Sequence, residues 1–268
     1  MDIILGSFCG TVGAGIEVAS RVCRSRGVQG QGGWGSYNPL VPGLKLTDSS
    51  ASLGRRFHVD VFIVGAVPSV FGLFFGGSGV TAEEYERRSA SVIPVFDEAI
   101  PGLASLGAFG LVYVTAPFDV PFTYLPDDPV LADRWNRHVR NEIIPLVERE
   151  VPSLANLPRY VMGFSGGAIL ALSGHHLDKP CVGAGMLGPD GLHAGIRPQD
   201  TWEPIPLIYN VGDDVIEVNR AAIAALRSTV EVFHRLPGSH GLADYVRNDS
   251  FRGLVWRAVR SARGARLE

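Results

Sequence analysis

The sequence predicts an α/β domain, a mostly parallel sheet with helices on both faces. Three observations predict it. From Phe57 onward, short apolar strand-like runs alternate with helix-like segments, which is the pattern of βαβ units. Some of these runs, such as VFGLFF at 70–75, are continuously apolar, as strands buried on both faces are. No charge-rich or Ser/Gly linker divides residues 57–262, so they read as one domain.

Each element follows from its residues. FHVDVFIVG (57–65) alternates apolar and polar positions, as a half-buried strand does. After the 70–75 strand, Thr81 with Glu84 three residues on opens a helix through a capping box, and Pro94 is expected to kink or end it. FGLVYVTA (109–116) is a strand. Residues 130–150 form a long amphipathic helix with Val139, Ile143, Leu146 and Val147 on one face. RYVMGF (159–164) is a strand and 166–176 a helix. CVGAGML (181–187) and PLIYNV (206–211) are strands, and a helix covers 217–228. EVFHRL (231–236) is the last strand, and 241–262 closes the chain as a helix with Leu254, Val255, Ala258 and Val259 on one face.

Residues 1–56 stand apart. A helix over 11–24 is compatible with Val12, Ile16, Ala19 and Val22, but RGVQGQGGWGSYNPLVPG (26–43) is rich in Gly and Pro and reads as loop or extended wrap. This stretch is expected to be an extension that adds leading strands or a flap over the site. Its glycines at 6, 10, 13 and 15 resemble a dinucleotide loop only loosely. The spacing is not GxGxxG, and no βαβ unit follows.

Composition narrows the function. The chain has 268 residues, 46% hydrophobic and 19% charged, with a net charge of −3. That is enough to bury a large core without disulfides or metal. A pI near 6.2 argues against a nucleic-acid binder, which would carry a basic stripe. The three Cys (Cys9, Cys23, Cys181) are widely spaced, with no CxxC or Cys/His cluster, so neither a disulfide framework nor a structural zinc is expected. No run of 18 apolar residues suggests a membrane span. The N-terminus lacks a basic n-region, and a cytoplasmic location is expected.

One motif carries chemistry. Gly163-Phe164-Ser165-Gly166-Gly167 is a G-x-S-x-G pentapeptide between a predicted strand and a predicted helix, the setting of a nucleophile elbow. Side chains at the flanking glycines would collide with neighbouring backbone. The helix N-terminus would aim N–H groups and positive dipole at a developing oxyanion. Ser165 needs a base. Of seven histidines, His240 in LPGSHGLADY combines loop freedom with a place at the carboxyl end of a strand, where open α/β sheets build their sites. His58, His138 and His234 fall on regular elements, His175 and His176 end a helix, and His193 lies in a loop.

A carboxylate should orient His240. Gly212-Asp213-Asp214 ends the 206–211 strand, and Asp190 in GPDG ends the strand before it. Asp214 is the first choice, with Asp213 and Asp190 as alternatives. The Gly-rich 76–79 segment after the 70–75 strand lets backbone approach a substrate. There the Gly77 N–H, with Ser78 as second choice, is expected to form an oxyanion hole with the Gly166 N–H.

These pieces together resemble the α/β-hydrolase family, specifically its small esterase-like members. The resemblance runs from about Phe57 to Arg260. It rests on FFGGSG, GFSGG, VGDD and GSHG, in the family's order. It implies an eight-stranded, mostly parallel sheet and hydrolysis through an acyl-enzyme on Ser165. Two departures stand out: Phe75-Gly76 replaces the His-Gly pair common in the oxyanion loop, and the acid turn is shorter than the three-residue spacing many members show. The expectation is a cofactor-independent and metal-free serine hydrolase acting on a small-molecule ester or thioester. Its rivals are an acyltransferase or cyclising thioesterase with the same triad, and a hydrolase-like binding protein. Only 18 residues, Gly188 to Ile205, stand where such enzymes insert a cap domain, so an open cleft is expected, with Trp34 and Tyr37 as candidate wall residues.

Overall fold

The most apolar strands take the middle of the sheet. A computed structural model of the chain describes residues 41–77, 94–114, 128–169, 181–189, 205–210, 213–226, 230–234, 238–247 and 249–264. Among these described residues, eight strands form one sheet: β1 (Val41–Ser50), β2 (Arg55–Val64), β3 (Phe71–Phe75), β4 (Phe109–Val114), β5 (Arg159–Phe164), β6 (Cys181–Leu187), β7 (Ile205–Tyr209) and β8 (Val230–His234). Their spatial order is β1-β2-β4-β3-β5-β6-β7-β8. β1, β2 and β4 pair antiparallel, and every later pairing is parallel. β3, β4 and β5 are buried at every position. Both faces are therefore covered, as a parallel sheet requires.

Helices seal the two faces: α1 (94–103), α2 (Pro129–His138), α3 (Ile144–Glu150), α4 (Val215–Leu226), α5 (Leu242–Val246) and α6 (Asp249–Gly264). Alternation along β3 shows the split. Phe71, Leu73 and Phe75 join one core with Trp135, Val139, Ile143 and Val147, whereas Phe74 joins the other with Phe96, Tyr113 and Phe251. In that second core Phe74 packs edge-on against Phe96 and Phe251, with ring centroids 5.6 and 5.9 Å apart. Each such ring, fully withdrawn from water, contributes roughly 1.5–3 kcal/mol.

Several expectations need adjusting. Val41 to Gly43 belong to β1, so the Gly/Pro-rich reading of the segment ending at residue 43 overlaps a strand. Residues 41–50 supply a leading strand, one of the two roles expected for the extension. A described helix begins at Pro94 and runs to residue 103, with the proline in its first turn, where its missing N–H costs nothing. The long helix over 130–150 contains a π-helical turn, Val139–Ile143, between α2 and α3. Pro145, which cannot donate an N–H into a regular ladder, is the second residue after it. The closing helix is two, α5 and α6. The predicted helices over 11–24 and 81–93, most of 166–176, and the segment 190–204 that replaces a cap lie outside the described residues, as do Trp34 and Tyr37.

β2 carries a charged anomaly. Asp60 is wholly buried, neither carboxylate oxygen has a hydrogen-bond partner, and Lys45 Nζ on β1 stands 3.8 Å away. Burial pushes its pKa up to about 6 against the pull of Lys45. Two residues earlier, burial and then Lys45 push His58 down to about 4.

Candidate active site

The carboxyl ends of β3, β5, β6, β7 and β8 converge, and the candidate residues lie there. β5 runs straight into Ser165, which takes φ 55°, a left-handed conformation unusual for a residue with a side chain. Holding it costs about 1–3 kcal/mol, and such strain gathers at functional sites. The surrounding structure enforces it. The Ser165 N–H donates to Leu187 O at the end of β6 (3.1 Å), and Ala168 N–H donates back to Ser165 O (3.0 Å). The helix that begins at Gly167 starts one residue after Gly166.

The two outer glycines are sterically required. A Cβ on Gly163 would lie 2.4 Å from Gly167 O, and a Cβ on Gly167 would lie 2.2 Å from Gly76 O and 2.4 Å from Phe75 O. The start of the elbow helix thus rests on the end of β3, which sets Gly77 beside the elbow. Gly76 N–H is committed to Val114 O at 2.9 Å. Among the described residues, no backbone carbonyl accepts from the N–H of Gly77 or Gly166. Ser78 lies outside the described residues.

His240 reaches Ser165 from the loop after β8. Its Nε2 lies 3.0 Å from Ser165 Oγ and its Nδ1 lies 2.8 Å from Asp213 Oδ2. A carboxylate only accepts, so Nδ1 carries the hydrogen and Nε2 is left to accept the Ser165 proton. The imidazole is 28% exposed and the Asp213 side chain is fully buried. Phe164 packs against the His240 ring, centroids 5.0 Å apart.

The acid position corrects the first expectation: the carboxylate at His240 belongs to Asp213, not Asp214. Asp213 leaves β7 in a tight turn closed by its N–H donating to Asn210 O (3.0 Å), and its Oδ1 accepts from Val215 N–H (3.1 Å). Asp214 falls one residue later, exposed, and its carbonyl accepts from Glu217 N–H at the start of α4. The turn is too short for the later residue to point back at the site. Asp190, the other alternative, lies outside the described residues. Of the remaining histidines, His138 is held by Glu142 at 2.6 Å, remote in sequence from the elbow, and His175, His176 and His193 lie outside the described residues.

This is the α/β-hydrolase fold. Solved structures agree with that assignment. A ferulic acid esterase from Anaeromyces mucronatus matches with a TM-score of 0.56 at 13% identity, over 85% of this chain and 94% of that one. An S-formylglutathione hydrolase from Agrobacterium tumefaciens matches at 0.54 and 14%, over 83% and 97%. The enterochelin esterase of Shigella flexneri matches at 0.57 and 17%, over 86% of this chain and 60% of that one. No protein-family model matches the chain, and no curated protein does. In this fold Ser165 follows β5, Asp213 follows β7 and His240 follows β8.

Sequence reasoning missed the residues around the acid. Tyr245 OH accepts from Asn210 N–H (2.9 Å) and donates to Asp213 Oδ2 (2.5 Å). Burial first, then the hydrogen bond to Asp213, pushes the phenol far up from its ordinary range. Asn210 Nδ2 donates to Ser239 O (3.1 Å), and the Ser239 N–H and hydroxyl donate to Asp244 Oδ2 (2.9 and 2.7 Å). Those two hydrogen bonds hold the Asp244 carboxyl below its usual range. The only sequence signal for this network was proximity to the VGDD and GSHG turns.

Proposed function

We propose that the chain is a serine esterase, cleaving a carboxylic ester or thioester through an acyl-Ser165 intermediate. The observation that carries this reading is the continuous line Ser165 Oγ–His240–Asp213, at 3.0 and 2.8 Å, on a strained elbow. His240 Nε2 takes the Ser165 proton as Oγ attacks the acyl carbon. The N–H groups of Gly77 and Gly166 hold the resulting oxyanion. Asp213 stabilises the imidazolium. When the tetrahedral intermediate collapses, His240 gives its proton to the leaving alcohol or thiol. Water then enters, loses a proton to the same imidazole and releases the acid, restoring Ser165. The ester class is supported by fold neighbours named as esterases of ferulic acid and enterochelin and as a hydrolase of S-formylglutathione.

The test is covalent labelling. A fluorophosphonate probe should modify the protein stoichiometrically, and peptide mapping should place the adduct on Ser165. Ser165→Ala should stay folded, refuse the probe and lose on the order of 10⁴-fold or more in short-chain ester turnover. A folded Ser165→Ala that keeps a tenth of the activity would reject the reading, since that loss is only about 1.4 kcal/mol of barrier.

A further inference from the structure

The tyrosine behind the acid turn does more than fill space. Tyr245 sits on α5, five residues after His240, and is fully buried. Its ring packs on Phe164, the residue before the nucleophile, with centroids 5.6 Å apart. Its hydroxyl faces one backbone donor and one carboxylate. Asn210 N–H can only donate, so the phenol oxygen accepts there and its own hydrogen is left for Asp213 Oδ2. That carboxylate oxygen is the one that receives His240 Nδ1–H. Oδ1 is taken by Val215 N–H. Gly188, at φ +45°, closes the remaining side: a Cβ there would lie 2.7 Å from both Asp213 Oδ2 and Tyr245 OH.

We propose that Tyr245 is a positioning residue: its phenol shares Asp213 Oδ2 with His240 and so sets both the direction of that carboxylate and how strongly it holds a proton on the imidazole. The proposal rests on the esterase reading for its consequence in catalysis. A carboxylate that donates its lone pairs to two partners offers each of them less. The phenol therefore tempers the hold of Asp213 on the His240 Nδ1–H. The neutral state of the phenol, favoured by burial, fits this donor role. Among the described residues, the other titratable groups nearby are engaged elsewhere. Tyr209 OH donates to Pro189 O (3.1 Å), and Asp244 is held by Ser239. Asp214 is exposed on α4's side of the turn.

The experiment compares wild type with Tyr245→Phe, which keeps the packed ring and removes only the hydroxyl. Two readouts are taken: kcat and KM against pH on an activated ester, and the titration of the His240 ring by NMR, which needs no turnover. With one donor fewer, Asp213 should hold the imidazolium more tightly. Both the acid limb of kcat/KM and the ring titration should move to higher pH, by up to about one unit. kcat at neutral pH should fall about 10- to 100-fold, as for other residues that orient a reacting group, with KM changed less than about three-fold. If Tyr245→Phe does not fold, 3,5-difluorotyrosine at position 245 replaces it. This group keeps the ring and donates more strongly, so both pH readouts should move down instead. Unmoved pH readouts in whichever variant folds would overturn the proposal, even with a lower unfolding temperature. If the wild type neither takes the fluorophosphonate nor turns over, the esterase reading fails by itself, and the ring titration still decides the role of Tyr245.

Discussion

The α-carbon of Gly167 lies so close to Gly76 that a methyl group on it would stand 2.2 Å from the Gly76 carbonyl oxygen. Backbone meets backbone there, and no side chain can swing aside. The contact sets the distance between the elbow and the turn that holds Gly77.

Gly167→Ala should therefore push the elbow helix away from β3 and separate the two candidate oxyanion donors. Overpacking of this kind costs about 1–3 kcal/mol of stability. Losing one oxyanion donor costs about 10²–10³-fold in rate. The expected outcome is a folded protein with a lower denaturant midpoint and at least about 100-fold slower fluorophosphonate labelling. Labelling at the wild-type rate would mean that this contact does not set the site.

The two neighbouring aspartates should separate cleanly. Asp213→Asn leaves an amide that can donate to His240 Nδ1, favouring the wrong tautomer, and should lower kcat on the order of 10⁴-fold. Asp214→Asn, exposed and turned away, should stay within about three-fold of wild type. Steady-state kinetics on both variants decides it. An Asp214 variant with the deeper loss would return the acid to the later residue.

Asp60 makes a prediction about stability. Its folded value of about 6 stands above the ordinary 3.8. The folded state therefore binds the extra proton between those values, and this group's contribution is fully present below pH 4 and lost as pH rises through 6. Asp60→Asn removes that slope. The variant should be more stable than wild type by about 1–3 kcal/mol at pH 7–8, and the two should converge near pH 4. His58, near 4 in the folded chain, has the opposite slope, with stability lost as pH falls from 6.5 to 4. It is present in both proteins and cancels from the difference. Denaturant melts across pH 4–8 give the answer, and a constant gap over that range would contradict it.

Much of the architecture is decided locally and was legible before any coordinates. β5 and β6 were read to the residue, because an apolar run bounded by polar or glycine residues has one way to bury itself in a parallel sheet. The elbow was equally plain in its G-x-S-x-G spacing: Gly163 is demanded by Gly167 and Ala168, within five residues of Ser165, although Gly167 is demanded by the backbone of Phe75 and Gly76 at the end of β3. β1 was less visible, since VPGLKLTDSS is an edge strand that alternates weakly and has Pro42 and Gly43 just after its first residue. The π turn at Val139–Ile143 leaves no signature in helical periodicity.

The acid was decided only by tertiary structure. Asp213 and Asp214 are chemically identical and adjacent, and nothing local distinguishes them. The choice depends on how β7 enters the turn, on α4 starting at Val215, and on a phenol that comes from 32 residues further along the chain. Ser165, His240 and Tyr245 are brought together by strand order, in which β5 through β8 lie side by side with their carboxyl ends aligned. Sequence determined which residue types could do the chemistry and which strands would carry them. The sheet's register, a long-range property of strands paired side by side, determined which atoms meet.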